Sequence, residues 1–208
     1  MKLFNTNYNL KNKNVLIMGL GTKDGGVGAA EFACGKGANV TVTDLQNEDL
    51  LKESISKLNH LPIKYELGKH DTESFKNADI IIRNPGIRRN NKYLEIAEEN
   101  CKIIESPIGI FSELVRNTYI GITATKGKSY TTHFVEHLLN YYGLKSIAAG
   151  NNCISPLRYL GNDEPYFVLE LSSWQLRETG LHKKSPQIAC WLNFFPDHLN
   201  YYNSMEEY

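Results

Sequence analysis

Asn14-Val15-Leu16-Ile17-Met18-Gly19-Leu20-Gly21 is a short apolar run that breaks on two glycines. A run of this length that stops at glycine and passes into a helical stretch, here 26–35, reads as strand, tight turn and helix. The same alternation continues outward. Val40-Thr41-Val42-Thr43 is β-branched and ends at Asp44, and 47–58 carries Leu50, Leu51, Ile55 and Leu58 at helical spacing. Segments 63–67 and 78–82 read as strands, 93–100 as a helix and 102–105 as a strand. Near-continuous apolar strands between helices indicate a parallel sheet covered on both faces. The expectation is an α/β fold with a Rossmann-like parallel sheet over residues 1–105.

A second unit of the same kind starts at Tyr119-Ile120-Gly121-Ile122-Thr123, with Pro107 and Gly109 marking the junction. Its helix, 129–142, puts Phe134, Val135, Leu138, Leu139 and Tyr142 on one stripe, and strands are expected at 146–149, 166–170 and 187–192. The chain closes on Ser204-Met205-Glu206-Glu207-Tyr208, where Ser204 and Glu207 have the spacing of a capping box. A helix starting there has no body; a frayed C-terminal tail is one reading, and the favoured one is a partial P-loop-type α/β domain over 106–208, cut short.

Composition excludes several classes. The 208 residues hold 23 Lys plus Arg against 23 Asp plus Glu, so the net charge is zero. That balance argues against nucleic-acid binding, whose affinity rests on phosphate neutralisation. No apolar run approaches the roughly 18 residues of a membrane helix, and residues 1–6 lack the apolar core of a signal peptide. Cys34, Cys101, Cys153 and Cys190 form no C-x-x-C pair. They read as reduced, buried or incidental thiols of a cytosolic protein.

Four stretches carry chemistry. Gly19-Leu20-Gly21-Thr22-Lys23-Asp24-Gly25-Gly26-Val27-Gly28 allows a tight turn and close approach of backbone to a diphosphate at a helix N-terminus. Asp44, ending the second strand, suits a ribose hydroxyl. Asp24 stands where a strict G-x-G-x-x-G has its third glycine, so the loop alone does not choose the nucleotide. Thr123-Ala124-Thr125-Lys126-Gly127-Lys128-Ser129 has the P-loop ending between a strand and a helix, although Ile122 occupies the position of the first P-loop glycine. Glu170-Leu171-Ser172-Ser173-Trp174-Gln175-Leu176 and Asn193-Phe194-Phe195-Pro196-Asp197-His198-Leu199-Asn200 each follow a strand, at the edge where open parallel sheets bind ligands.

Together these stretches resemble the Mur ligase family, in particular its D-glutamate-adding members. The resemblance rests on Gly19-Leu20-Gly21, Asn84-Pro85-Gly86-Ile87, Thr123 to Ser129, Gly150-Asn151 followed by Ile154-Ser155-Pro156-Leu157, Glu170 to Leu176, and Asp197-His198-Leu199, in family order. It implies a UDP-binding first domain over 1–105, with UDP replacing NAD as the ligand. A truncated ATP-binding central domain follows over 106–208, and the family's third domain is absent. The implied activity is a cytoplasmic, ATP- and Mg²⁺-dependent amide ligase of peptidoglycan precursor synthesis, serving the cell wall, cell shape and division. The carboxylate of UDP-N-acetylmuramoyl-L-alanine would be activated as an acyl phosphate, which the amine of D-glutamate displaces.

Residue by residue, the resemblance implies a catalytic set of Lys128, Glu170 and His198. Thr125, Lys126, Gly127, Lys128 and Ser129 would hold ATP, with Lys128 on the β/γ-phosphates. Ser129 and Glu170 would bind a first Mg²⁺ and His198 a second. Asn151, Ser172 and Gln175 would contact the muramoyl peptide, and Gly21, Thr22, Asp44, Asn84 and Gly86 the uridine end. Arg83, Arg88, Arg89 and Lys92 form a basic patch read as a solvated face rather than a diphosphate contact. The implied partners are the two small-molecule substrates, bound by a monomer with no nucleic acid or membrane involved. The alternative is a non-catalytic UDP-sugar or nucleotide-binding module. A dehydrogenase is disfavoured because it has no use for a second phosphate loop with Glu170 and His198 downstream. Departures from the family pattern are Ala124 for a glycine, Tyr130 for a small hydroxyl residue and Asn152-Cys153 for an apolar residue and glycine. The family's carbamylated lysine falls past Tyr208, so the isolated chain is expected not to ligate.

Overall fold

A computed structural model of the chain describes residues 8–151, 154–161, 163–199 and 201–208. The leader reading of residues 1–6, Asn152-Cys153 and Asn200 lie outside the described residues. The first sheet contains β1 (Asn14–Met18), β2 (Asn39–Asp44), β3 (Ile63–Leu67), β4 (Ile80–Arg83) and β5 (Ile103–Glu105). It is parallel throughout, in the order β3-β2-β1-β4-β5. Side-chain alternation explains its two covered faces. Val15 and Ile17 join the core with Val27 of α1 (Asp24–Gly35) and Leu51 and Leu58 of α2 (Glu48–Leu58). Leu16 and Met18 face the other way, onto Phe75 of α3 (Thr72–Asn77) and Leu94 and Ala97 of α4 (Lys92–Glu99).

After α5 (Pro107–Leu114), a second parallel sheet forms in the order β7-β8-β6-β9. It is built from β6 (Tyr119–Thr123), β7 (Ser146–Gly150), β8 (Tyr166–Glu170) and β9 (Ile188–Trp191), with helices α6 (Lys128–Tyr141) and α7 (Ser173–Leu181). The core runs on unbroken from the first sheet through Ile108 and Phe111 of α5 to Phe167 and Leu169 of β8. Phe111 stands edge-on to Tyr119 and Phe167, at ring-centroid distances of 5.6 and 4.8 Å.

Three helices depart from the sequence expectation. Helix α3 has six residues and buries only Phe75, too little for a period to show. Helix α5 is buried from Pro107 to Ser112, so it lacks the polar face that would mark a helix. Helix α7 carries little apolar pattern, and its one signal is the Ser172-to-Gln175 capping box that starts it. The stripe expected along α6 is only half used. Phe134, Leu138 and Tyr142 are exposed, because the helix meets β6, β7 and β8 with its other side. All four β9 residues are exposed, at the edge of the sheet beside β6. At the C-terminus the Glu207 amide donates to Ser204 Oγ, but the Glu207 carboxylate accepts from the Asn203 amide, and the segment stays a turn.

Candidate functional site

In the first sheet the chain leaves β1 toward β2 on one side and returns to β4 on the other. Such a switch point opens a crevice at the carboxyl ends of the strands. A cavity of about 390 Å³ lies there, lined by the Gly19–Lys23 loop, Asp44, His70, Asn84 and Ile87. Gly19 has φ +89°, and a Cβ on it would lie 2.8 Å from Ile87 Cδ1 and 3.2 Å from Asn84 Cβ, so the loop and the 84–87 turn touch only because residue 19 is glycine. Asp44 Oδ2 accepts from the Gly21 amide at 3.0 Å and Oδ1 from the Gln46 amide at 2.9 Å. Thr22 lines the cavity and Gly86 does not. His70 was not anticipated. It is 9 % exposed, its Nδ1 is 2.7 Å from Thr43 Oγ1, and burial lowers its pKa.

The second sheet gathers its loops in the same way. The segments after β6, β7, β8 and β9 meet around a cleft of about 360 Å³ lined by Lys128, Asn151, Ser172, Trp174, Asp197 and His198, among others. Gly127 begins α6 in the left-handed region, at φ 88°. The Asn193 side chain clasps the loop: Oδ1 accepts from the Lys126 amide at 3.0 Å and Nδ2 donates to the Lys126 carbonyl at 2.8 Å. Lys128 Nζ folds over the loop and donates to the Ala124 and Thr125 carbonyls at 2.7 and 3.1 Å. Lys126 does not join these carbonyls but pairs with Asp197 of the same cleft at 3.5 Å. The Asp197 pKa is lowered, first by the His198 amide on Oδ1 and then by the charges of His198 and Lys126.

Glu170 is fully buried at the end of β8. Gly150, at φ +110°, lets β7 pass it where a Cβ would meet the Glu170 carbonyl at 2.3 Å. Asn151 then donates its amide to that carbonyl at 2.9 Å and its Nδ2 to Glu170 Oε1 at 3.1 Å. Thr125 Oγ1 bonds to the Phe195 backbone, and Thr125 lines the cleft with Lys126. Ser129 and Gln175 do not line it. Gln175 Oε1 is taken up by the Ser172 amide and hydroxyl at the start of α7.

Several expectations are corrected. Ala124 is absent from the non-glycine residues with positive φ, so its Cβ imposes no backbone strain. The Tyr130 ring, 77 % exposed and stacked on Phe134, points away from the cleft. The Arg83-to-Lys92 segment is not simply a solvated face. Arg83 is 1 % exposed and ion-paired to Glu178, as is Arg89. Cys34, Cys101 and Cys190 are free thiols, half-buried in the first case and exposed in the other two, within the reading of reduced or incidental cysteines. Lys23, in the glycine-rich loop, lines both cavities, a role that its local sequence does not signal.

Residues 13–105 match the family described as Mur ligase MurD-like, N-terminal domain, and residues 122–208 the Mur ligase middle domain. The UDP-N-acetylmuramoylalanine–D-glutamate ligases of a Roseiflexus species and of Borreliella burgdorferi are 41 % and 42 % identical to the chain over 201 and 206 residues. Each alignment covers 96 % of this chain and 43 % or 44 % of the relative, so the chain spans less than half the length of these curated relatives. Among solved structures, the UDP-N-acetylmuramate:L-alanyl-gamma-D-glutamyl-meso-diaminopimelate ligase from Neisseria meningitides has TM-score 0.67 at 19 % identity, covering 94 % of this chain and 64 % of that one. The UDP-N-acetylmuramate–alanine ligase of Thermotoga maritima has TM-score 0.62 at 23 %, covering 94 % and 45 %, and both likenesses speak to the fold. With its two halves matched in order and its loops converging as described, the chain belongs to the Mur ligase family and carries that family's N-terminal and middle domains.

Proposed function

We propose that the chain holds the UDP-sugar end and the ATP end of a D-glutamate-adding ligase of peptidoglycan synthesis. One observation carries this reading: the two cavities are neighbours, and Lys23 lines both. A substrate with a nucleotide at one end and a carboxylate at the other can then lie with its diphosphate at the glycine-rich loop and its carboxylate at the phosphate loop. The relatives' names supply the candidate, UDP-N-acetylmuramoyl-L-alanine.

In this reading Gly21, Thr22, Asp44 and Asn84 hold the uridine diphosphate end. Asn151 and Ser172 face the acyl end from the cleft wall, while Gly86 and Gln175 act through the turn and the helix start that they build. At the phosphate loop, the first-turn amides of α6 have no partner within the helix and suit phosphate oxygens. Lys128 Nζ, already aimed across the loop, adds a positive charge. Positioned charge of this kind supplies much of the barrier lowering in phosphoryl transfer. Bound ATP would supply the phosphoryl group that activates the carboxylate, with Mg²⁺ offsetting its charge.

Among the described residues no group of three or more His, Cys, Asp and Glu could hold a metal. Mg²⁺ at a nucleotide needs only one or two carboxylates beside phosphate oxygens and water. The Glu170 carboxylate, held by Asn151 behind the cleft at the carboxyl end of β8, would supply such a ligand, His198 would add a donor from the cleft wall, and Ser129, off that wall, would act from the first turn of α6. No described helix is long and apolar enough to cross a membrane.

Isothermal titration with UDP-N-acetylmuramoyl-L-alanine and with NAD tests the first cavity. The muramoyl compound should bind and NAD should not; tighter NAD binding would reverse the assignment. Asp44→Asn should weaken the muramoyl compound, because Asp44 holds the Gly21 amide.

A further inference from the structure

Glu178 lies in the middle of α7, on the second unit, yet its partners belong to the first. Arg83, at the end of β4, donates Nη2 to Glu178 Oε1, and Arg89 donates Nη2 to Oε2 at 2.6 Å and Nε to Oε1 at 3.2 Å. The Arg83 and Glu178 side chains are 1 % and 5 % exposed. The other arm of Arg83 is wrapped by the turn that follows it. Nη1 donates to the carbonyls of Asn84 and Pro85, both at 3.2 Å, and to that of Ile87. The outer side of this turn is the wall of the first cavity, where Asn84 and Ile87 meet Gly19.

We infer that Glu178 is a positioning residue: from the second unit it holds Arg83, and through Arg83 it fixes the Asn84–Ile87 turn against the glycine-rich loop, so setting the shape of the nucleotide cavity.

A buried guanidinium is costly without its counter-charge. Glu178 is what lets Arg83 stay inside the turn as a three-carbonyl donor, and Arg83 replaces water as the partner of those carbonyls. Charge agrees with geometry. Burial would raise the Glu178 pKa, but the Arg89 hydrogen bond and the two guanidinium charges hold it below the usual carboxylate range. The same helix begins at the phosphate-loop cleft with Ser172, Ser173 and Trp174. The helix that walls one cavity therefore braces the other.

The positioning role stands apart from the proposed function, whereas the ligand arm of the test rests on it. The variants are Glu178→Gln and the charge-free pair Arg83→Met/Glu178→Leu, which should keep the chain folded if the single change does not. Hydrogen exchange is read at Asn84, Gly86 and Ile87, whose amides bond to the Met18 carbonyl, Asn84 Oδ1 and the Asn84 carbonyl. Protection there should fall about tenfold or more, while that of β6 and β8 stays as in the wild type. The dissociation constant of UDP-N-acetylmuramoyl-L-alanine should rise about tenfold, and that of ADP should change less than about twofold. A merely structural role predicts something else, with both affinities falling together as the folded fraction falls. A folded double variant with unchanged protection at 84–87, or with both ligands weakened equally, overturns the inference. If the wild-type chain binds no UDP compound, the proposed function fails and the exchange at 84–87 alone decides the role of Glu178.

Discussion

Asp24 and Arg158 join the two sheets through a two-pronged ion pair, Oδ2 accepting from Nε at 3.0 Å and Oδ1 from Nη2 at 2.8 Å. Asp24 Oδ2 also accepts from the Ser155 amide at 2.7 Å. One turn along α1, Gly28 faces the same segment, where a Cβ would lie 2.2 Å from Ser155 Cβ. The residue that spoils the G-x-G-x-x-G spacing is thus a joint between the units, placed where a helix start favours negative charge. Asp24→Ala should cost about 1–3 kcal/mol of stability, measured by urea unfolding. A loss below about 0.5 kcal/mol would mean that water replaces the pair at no cost.

Lys128 and Lys126 should behave differently at the phosphate loop. Lys128→Ala is expected to weaken ATP about 30- to 100-fold, as loss of charge-assisted bonds to phosphate implies. Lys126→Ala should stay within a few-fold, because Lys126 reaches to Asp197 instead. Titration of each variant with ATP and Mg²⁺ checks this, and the reverse ranking would show that the loop presents the other lysine.

His182, at the end of α7, should make stability pH-dependent. Its Nε2 is 3.0 Å from Glu105 of β5 and its Nδ1 3.2 Å from Glu113 of α5, with its side chain 4 % exposed. Two carboxylates acting as acceptors need two ring donors, which only the imidazolium has. Its pKa is raised, first by the Glu105 hydrogen bond and then, against burial, by the charges of both glutamates. The contribution is therefore complete below the unfolded value of about 6.5 and is lost as pH rises through the higher folded value. Melting temperature should fall over that window in the wild type, and His182→Gln should flatten the fall and cost about 1.5–3 kcal/mol at pH 6. A pH profile identical in the two proteins would remove His182 as its cause.

The 208-residue chain assayed by itself should bind both nucleotides and form no amide. It spans less than half the length of its curated relatives, and positioning of a second reactant supplies roughly 7–11 kcal/mol of barrier lowering. The assay holds ATP, Mg²⁺, UDP-N-acetylmuramoyl-L-alanine and D-glutamate, with the amide sought by mass spectrometry. Turnover near 1 s⁻¹, an ordinary enzyme rate, would refute the expectation.

Much of the fold was legible because it depends on local patterns. The apolar runs at Val15–Met18, Tyr119–Ile122 and Phe167–Leu169 read as buried strands between helical stretches, and at the first of them Gly19 stops the strand where the backbone turns. The strand and helix order pointed to the carboxyl edge of the sheet, and the loops after β6, β8 and β9 do meet there at one cleft. Helices α3, α5 and α7 were not legible. One is too short for a period, one is buried on every side, and one is patterned by ion pairs rather than by apolar residues.

The order of strands, turns and phosphate-type loops is encoded locally, because backbone freedom and burial act over a few neighbouring residues. Which charges lie inside depends on how distant segments pack. Arg83 and Glu178 lie 95 positions apart, and Glu105 and His182 77. Read along the chain, each is an ordinary surface charge. A buried charge is tolerated only with its partner beside it, and that partner is chosen by how the two sheets pack, which no local pattern encodes.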